Sequence, residues 1–421
     1  MARPEPLGVW LYGSRVAELT TSGPGDVTLR YSDETLGRWP RNTPVLSCSL
    51  PLTNRRQKAA VYFKGMLPEG RHLQALAAQA KVSTIDIFGL LARYGRDVAG
   101  ATVISATQPQ DRPGRLEPYD PASLADEVAN LEDHPLGVHD DSELSIAGLQ
   151  SKLLLIADGD GWGRPVGGRP STHILKVEDR RYPGLVTMEA ACLRLAKTVG
   201  LTSGDVAVET IAGLPCIIVS RFDRCVEADG TVARVHQEDA CQALGRDPEA
   251  SRGKGKYEAF GGPALAEVAR VLDRWAADPL RELERLVAVI TFTAAIGNAD
   301  AHGKNVSLLH TAPGQVSLAP LYDTVPTVMW PRLPDRAAMR INGKDKLSAV
   351  TLDDIVAEAA SWRLAPQTAR RTATDTAESL LAALSAGDAP EELTEVVRTR
   401  LRALLAARSG RASRQWPASF G

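Results

Sequence analysis

The chain has 421 residues, 44% of them hydrophobic and 24% charged, with a net charge of −2. That length allows two or three domains, and the near-neutral balance supplies no overall basic field for direct nucleic-acid binding. The apolar runs are all too short to span a bilayer, and Met1 to Pro6 lacks the apolar core of a signal peptide. Cys48, Cys192, Cys216, Cys225 and Cys241 are scattered without a C-x-x-C pair. That usage argues against a disulfide framework or structural zinc and predicts a cytoplasmic protein.

Residues 7 to 105 alternate short strands and turns, then become helical. Val9 to Ser14 followed by Val16 to Leu19 predicts a hairpin with a Gly13-Ser14 turn. Val27 to Tyr31 alternates as a further strand. Phe63-Lys64-Gly65-Met66-Leu67-Pro68-Glu69-Gly70 leads into a helix over 71–79. Ser83 is placed to cap the next helix, and Val98 to Ile104 reads as a closing strand. Residues 106–140 are predicted as a linker, rich in Pro, Gly and charge toward their start, with a short capped helix running through Leu131.

Residues 141–225 predict a strand-rich lobe. Leu144 to Lys152 leads into the apolar strand Leu153 to Ile156, and Asp158-Gly159-Asp160-Gly161 is a hairpin signal. Ser171 to Val177 is a strand carrying Lys176 near its end. A helix over 187–199 has Glu189 near its start, where it either pairs with Lys176 or serves the helix dipole. Two more strands, 207–211 and 216–220, precede Arg221-Phe222-Asp223-Arg224.

Residues 226–421 predict a helical lobe, with helices over 265–276, 279–296, 352–360, 365–384 and from Glu391 to about Arg408. A Lys/Gly-rich loop spans 253–262, and its part at 253–257 reads either as a mobile substrate or activation segment or as a surface turn. Asn298, Asp300, His302, Lys304 and Asn305 crowd into eight residues between apolar segments. So many polar groups must face water or a ligand, since burying them unpaired is costly. Asp300 and Asn305 have the D-x4-N spacing of a protein-kinase catalytic loop, whose Asp orients the acceptor hydroxyl and whose Asn holds magnesium. Asp323, after the apolar approach Pro320-Leu321-Tyr322, could supply the second metal carboxylate.

The order of these parts resembles the HipA family, the toxin kinases of bacterial toxin–antitoxin pairs. The likeness rests on Phe63 to Gly70, Ser145 to Lys152, His173 to Lys176, Arg221 to Arg224, His236 to Asp239, Asn298 to Asn305 and Leu321 to Asp323. It covers nearly the whole chain. It implies an α+β, protein-kinase-like two-lobed fold: an N-terminal α/β module (1–105), a linker (106–140), a strand-rich N-lobe with phosphate loop and hinge (141–225) and an all-helical C-lobe (226–421). It also implies a serine/threonine protein kinase using ATP and Mg2+. The expected partners are a helix-turn-helix antitoxin, through which DNA is mainly contacted, and a protein substrate such as an aminoacyl-tRNA synthetase.

By this resemblance Asp300 is the catalytic residue, and Asn305 and Asp323 hold the metal through oxygens. Lys176 contacts phosphates, Lys152 either helps to hold them or only flanks the strand, and His302 lies near the nucleotide or metal. Ser220, Arg221 and Phe222 form the hinge, although the family often carries Glu where Ser220 stands, which leaves the hinge chemistry open. Ser145, Ala147 and Gly148 belong to a phosphate loop whose small residues let backbone N–H groups approach an anion. The family's serine at position 145 is autophosphorylated, and a phosphate added there would repel those of ATP. Two other functions remain open at this point: a kinase of small-molecule hydroxyls, and a catalytically idle co-repressor bound to a DNA-binding antitoxin.

Overall fold

The computed structural model describes residues 4–109, 114–131, 151–333, 335–387 and 389–406. The N-terminal module is built on a five-stranded antiparallel sheet in the order Gln57–Lys58, Thr28–Tyr31, Ser14–Thr20, Leu7–Leu11, Thr102–Ser105. Its first hairpin turns through Tyr12-Gly13 rather than Gly13-Ser14, because Leu11 pairs with Ser14 and both turn residues have positive φ (50° and 78°). Such turns match the twist of the flanking strands. Helices Gly70–Ala80 and Ile87–Tyr94 cover the sheet. The second starts at Asp86, whose Oδ1 accepts from the Gly89 N–H at 3.0 Å, so Asp86 and not Ser83 is the cap.

A six-stranded antiparallel sheet follows, in the order Val206–Ile211, Leu214–Ser220, His173–Val177, Lys152–Asp158, Gly161–Val166, Arg115–Pro118. Its last strand lies within the stretch expected as linker, and helix Pro121–Ala129 follows it directly. Side chains alternate across the sheet, and the register shows what each face does. Leu153, Leu155, Leu175, Cys216 and Ile218 point to the face covered by Leu124 and Val128. The opposite face carries Ile217, which packs on Val186 and Ala190 of helix Leu185–Thr198, and Leu154, which joins the N-terminal core. Lys152 and Lys176 are register partners on neighbouring strands and share this second face.

The remaining residues form a lobe around helix Pro279–Ile296, flanked by Leu265–Trp275, Leu352–Ser361, Pro366–Ser385 and Glu391–Leu405. The α+β, two-lobed description holds, but the C-lobe is not all helical. It also carries a three-stranded sheet of Gln237–Asp239, Ser307–Ala312 and Gln315–Leu318, and the hairpin Arg336–Ile341 with Lys344–Lys346. The central helix has clear punctuation. Asp278 caps it, Pro279 opens it, and Gly297 ends it with φ 77°. A Cβ at Gly297 would lie 2.4 Å from Val328 Cγ2. The helix therefore stops where the polar loop 298–305 must begin.

A buried ionic cluster joins the first module to the kinase-like lobes. Asp97 receives Arg224 Nη2 at 2.8 Å, Arg234 Nη1 at 3.1 Å and the Ser171 N–H at 2.9 Å. Asp223 receives Arg221 Nη2 at 2.8 Å and the Gly100 N–H at 2.7 Å. Burial alone would raise the Asp97 carboxyl; Arg224, Arg234 and Arg221 hold it down at about 2. Such a cluster fixes orientation more surely than it adds stability.

The fully buried Phe292 lies near the C-terminal end of the central helix, in the core of the C-lobe. Phe292→Ala is expected to cost about 3–5 kcal/mol through lost burial and a residual cavity. Urea unfolding should show the C-lobe transition moving to lower concentration.

Candidate active site

Lys176 is the centre of the site. Its Nζ lies 2.6 Å from Glu189 Oε1 and 2.7 Å from Asp323 Oδ1. The strand register aims Lys176 at this face, and helix Leu185–Thr198 brings Glu189 across from it. The pairing that the sequence left open against a dipole role is therefore present. Asp323 sits in a turn with φ 50°, a left-handed conformation that Asp adopts more readily than most residues.

The charges follow from that packing. Burial would lower the Lys176 ammonium, but Asp323 and Glu189 override it and its pKa is raised. Burial would raise Asp323; Lys176 beside it, with help from Lys152, holds it at about 2. Burial raises Glu189 despite the contact with Lys176. Lys152 is pushed down to about 8, first by burial and then by the neighbouring Lys176.

The loop 298–305 is held by its own polar groups. Asp300 N–H donates to Asn298 Oδ1 at 3.0 Å, and Asn305 Nδ2 donates to the Asp300 carbonyl at 3.0 Å. That second bond leaves the Asn305 amide oxygen as an acceptor. Tyr322 OH donates to the Lys304 carbonyl at 2.6 Å, and its ring lies 5.2 Å from that of Phe222. His302 is buried, and burial lowers its pKa. His302 Nδ1 and Glu189 Oε2 are both buried without a hydrogen-bond partner among the described residues. Orphaned buried polar atoms of this kind call for an explanation, and a bound polar ligand supplies one.

Lys152, Lys176, Ser220, Arg221, Phe222, Asp300, His302, Asn305 and Asp323 all line one cavity of about 980 Å³. Ser145, Ala147 and Gly148 lie outside the described residues; where description resumes, Ser151 and Lys152 line the same cavity. The hinge expectation narrows. The Ser220 N–H already donates to Asp205 O at 3.1 Å and the Arg221 N–H to Thr172 O at 2.9 Å. The Arg221 guanidinium faces away into the buried cluster, on Asp223, Ser171 and Val98.

Other residues at the site had no role assigned from sequence. Tyr257 OH donates to Asp300 Oδ1 at 2.7 Å. Lys256 Nζ lies 2.9 Å from Glu69 Oε2, and Lys304 Nζ lies 2.9 Å from Asp239 Oδ2. The segment around 256 is thus not a surface turn. The sequence signal for it was only a Lys-Tyr pair in a glycine-rich loop.

Two family models match the chain: the HipA N-terminal domain over residues 7–105 and the HipA-like C-terminal domain over residues 144–384. The chain belongs to the HipA family. A Sinorhizobium fredii protein named "Putative kinase Y4mE" is 38% identical over 82% of this chain and 83% of its own length. The "Serine/threonine-protein kinase toxin HipA" of Shewanella oneidensis is 29% identical over 72% of each chain. Among solved structures, the Shewanella oneidensis MR-1 toxin–antitoxin complex of HipA, HipB and operator DNA superposes with a TM-score of 0.76 at 25% identity, covering 95% of this chain and 96% of that one. Both relatives carry kinase names, the first as "Putative kinase" and the second as a serine/threonine-protein kinase toxin. No helix among the described residues is long and apolar enough to cross a membrane.

The depressed Lys152 gives a measurable signature. Burial and the neighbouring Lys176 weaken its hold on a proton in the free protein, and a polyphosphate in the cavity would favour its charged form. Binding of a polyphosphate near pH 8 should then be accompanied by proton uptake. Calorimetry in buffers of different ionisation enthalpy would register that uptake, and Lys152→Met should abolish it.

Proposed function

We propose that this chain is an ATP- and Mg2+-dependent serine/threonine protein kinase that acts as the toxin of a toxin–antitoxin pair. The observation that carries the reading is the convergence of Lys176, paired to Glu189, with Asp323, Asp300 and Asn305 on one cavity. A lysine–glutamate pair, a metal carboxylate and a D-x4-N loop are the parts that phosphoryl transfer by positioning and charge requires. The donor set suits magnesium. Asp323 offers an ionised carboxylate and Asn305 an amide oxygen, both hard oxygen ligands. Bound there, Mg2+ would neutralise charge on the phosphate oxygens.

The chain's own residues would do the rest. Lys176 and Lys152 hold phosphate oxygens. Phe222 and Tyr322 present aromatic surface to the base. Asp300 orients the acceptor hydroxyl and receives its proton as the oxygen bonds to the γ-phosphorus and the bond to the ADP oxygen breaks. Ser145 is proposed as an autophosphorylation site that shuts off nucleotide binding. The partner is proposed to be a helix-turn-helix antitoxin, by analogy with the HipA–HipB–operator complex, and the location cytoplasmic. The proposed protein substrate is one whose phosphorylation inhibits translation, such as an aminoacyl-tRNA synthetase.

Intact-mass measurement of the full chain with Mg-ATP tests this. The wild type should gain one phosphate, mapped to Ser145, and Asp300→Asn should slow the gain by at least about 100-fold, the usual weight of a positioned acid–base group. No phosphate on either protein, and no ATP consumed against a bacterial lysate, would overturn the kinase reading and leave the idle co-repressor. ATP turnover stimulated only by small-molecule extracts would move the substrate class instead.

A further inference from the structure

A carboxylate that must accept a proton from an incoming hydroxyl has two oxygens and free rotation about its last bond. Something has to choose which oxygen faces the substrate. The main chain of Asp300 is held by Asn298 and Asn305, but those bonds leave its carboxylate free to turn. Tyr257 supplies the missing constraint, donating its phenol proton to Oδ1 at 2.7 Å. Burial and Asp300 both push the Tyr257 phenol above its usual range, so it stays a donor at any working pH. Its ring stands edge-on to His302 at 5.3 Å, with the planes at 90°.

The backbone that carries Tyr257 is pinned from two directions. The Lys256 carbonyl accepts from the Gly303 N–H at 3.0 Å, so the two loops are stitched together beside Asp300. The Lys256 ammonium is buried against Glu69 Oε2 at 2.9 Å, and Glu69 belongs to the first module. The other oxygen of Glu69 lies 3.9 Å from Lys304 Nζ, itself in the 298–305 loop and paired to Asp239. One carboxylate from the first module therefore sits between two lysines that line the same cavity as the candidate base. Two buried cations and two buried anions balance, as buried charge requires.

We propose that Tyr257 is a positioning residue that orients the Asp300 carboxylate, and that Glu69 of the N-terminal module holds Tyr257 in place, so that this module completes the catalytic loop. The inference rests on the kinase reading of Asp300. Fixed geometry at the reacting group is where such a contact acts, since a misplacement of about 1 Å can cost on the order of 100-fold in rate.

The test measures the rate of phosphate incorporation into the full chain from Mg-ATP, with ATP affinity by calorimetry and the unfolding temperature alongside. Tyr257→Phe keeps the ring on His302 and removes only the hydroxyl. It should lower the rate about 10- to 100-fold, with ATP affinity within about twofold and the unfolding temperature unchanged. Glu69→Gln should lower the rate by a smaller factor. The double variant should be no slower than Tyr257→Phe alone, because two residues acting through one carboxylate are not additive. If Glu69→Gln unfolds the chain, Glu69→Gln with Lys256→Met removes both charges together and should show the same slowed rate. Wild-type rate in Tyr257→Phe would overturn the positioning role, as would a parallel loss of ATP affinity. Phosphate mapped to Tyr257 would make it an acceptor instead. Additive losses in the double variant would break the link to Glu69. A wild-type chain that takes up no phosphate at all would overturn the kinase reading itself, an outcome the variants cannot mimic.

Discussion

A lysine ammonium buried in a protein must be paired, and the pairing of Lys176 organises this molecule. Its charge is shared between Glu189 on a helix and Asp323 on a left-handed turn. Each partner is brought by a different part of the chain. The strand sheet must present Lys176 on its cavity face, the helix must pack with Glu189 inward, and the C-lobe must close so that Asp323 arrives. If any of the three fails, a charge is left uncompensated at low dielectric. The same contact is what a nucleotide would have to reorganise. Asp323 lines the cavity and is the partner with room to turn toward a bound group, whereas Glu189 is fully enclosed and stays.

The clustering of polar residues was more legible in the sequence than its geometry. Asp300, Asn305 and Asp323 stand in short segments where polar groups crowd between apolar ones, and such crowding shows in one dimension. Lys176 was legible because a period-two strand fixes its face, and the register shows Lys152 on the same side. The pairing with Glu189 was not decidable, since a helix-start acid is equally at home on the dipole. Only the packing of Val186 and Ala190 on Ile217 settles which way it points. The C-lobe strands were under-read for a similar reason: residues 336–341 and 344–346 are short, and their pairing depends on the turn at Asn342-Gly343, both with positive φ.

Two misreadings share a physical origin. Arg115 to Pro118 looked like linker because it is charged and ends on proline. Yet an edge strand needs only one hydrogen-bonded side and tolerates both features. Asp86 was passed over for Ser83 as a cap because either side chain can accept from a helix N-terminus. The choice was made by where Ile87, Leu90 and Leu91 must sit to reach the N-terminal core. In both cases local chemistry allowed two answers and tertiary burial selected one.

Tyr257 and Glu69 mark the limit of one-dimensional reading. The phenol and Asp300 are 43 residues apart in sequence, and Lys256 and Glu69 are 187 apart. No spacing rule reaches that far, so the glycine and charge of this loop left a mobile segment and a surface turn both open, with neither Tyr257 nor Glu69 singled out. The structure gives it a reason. A first module fixed to the kinase-like lobes by Asp97 and Asp223 is already oriented to within the reach of a hydrogen bond. A rigid dock at one end makes a single carboxylate at the other end a dependable anchor. Without the Asp97 cluster, Glu69 would pay the entropy of locating two lysines by itself. The two buried ionic clusters are thus parts of one device, the first setting orientation and the second using it beside Asp300.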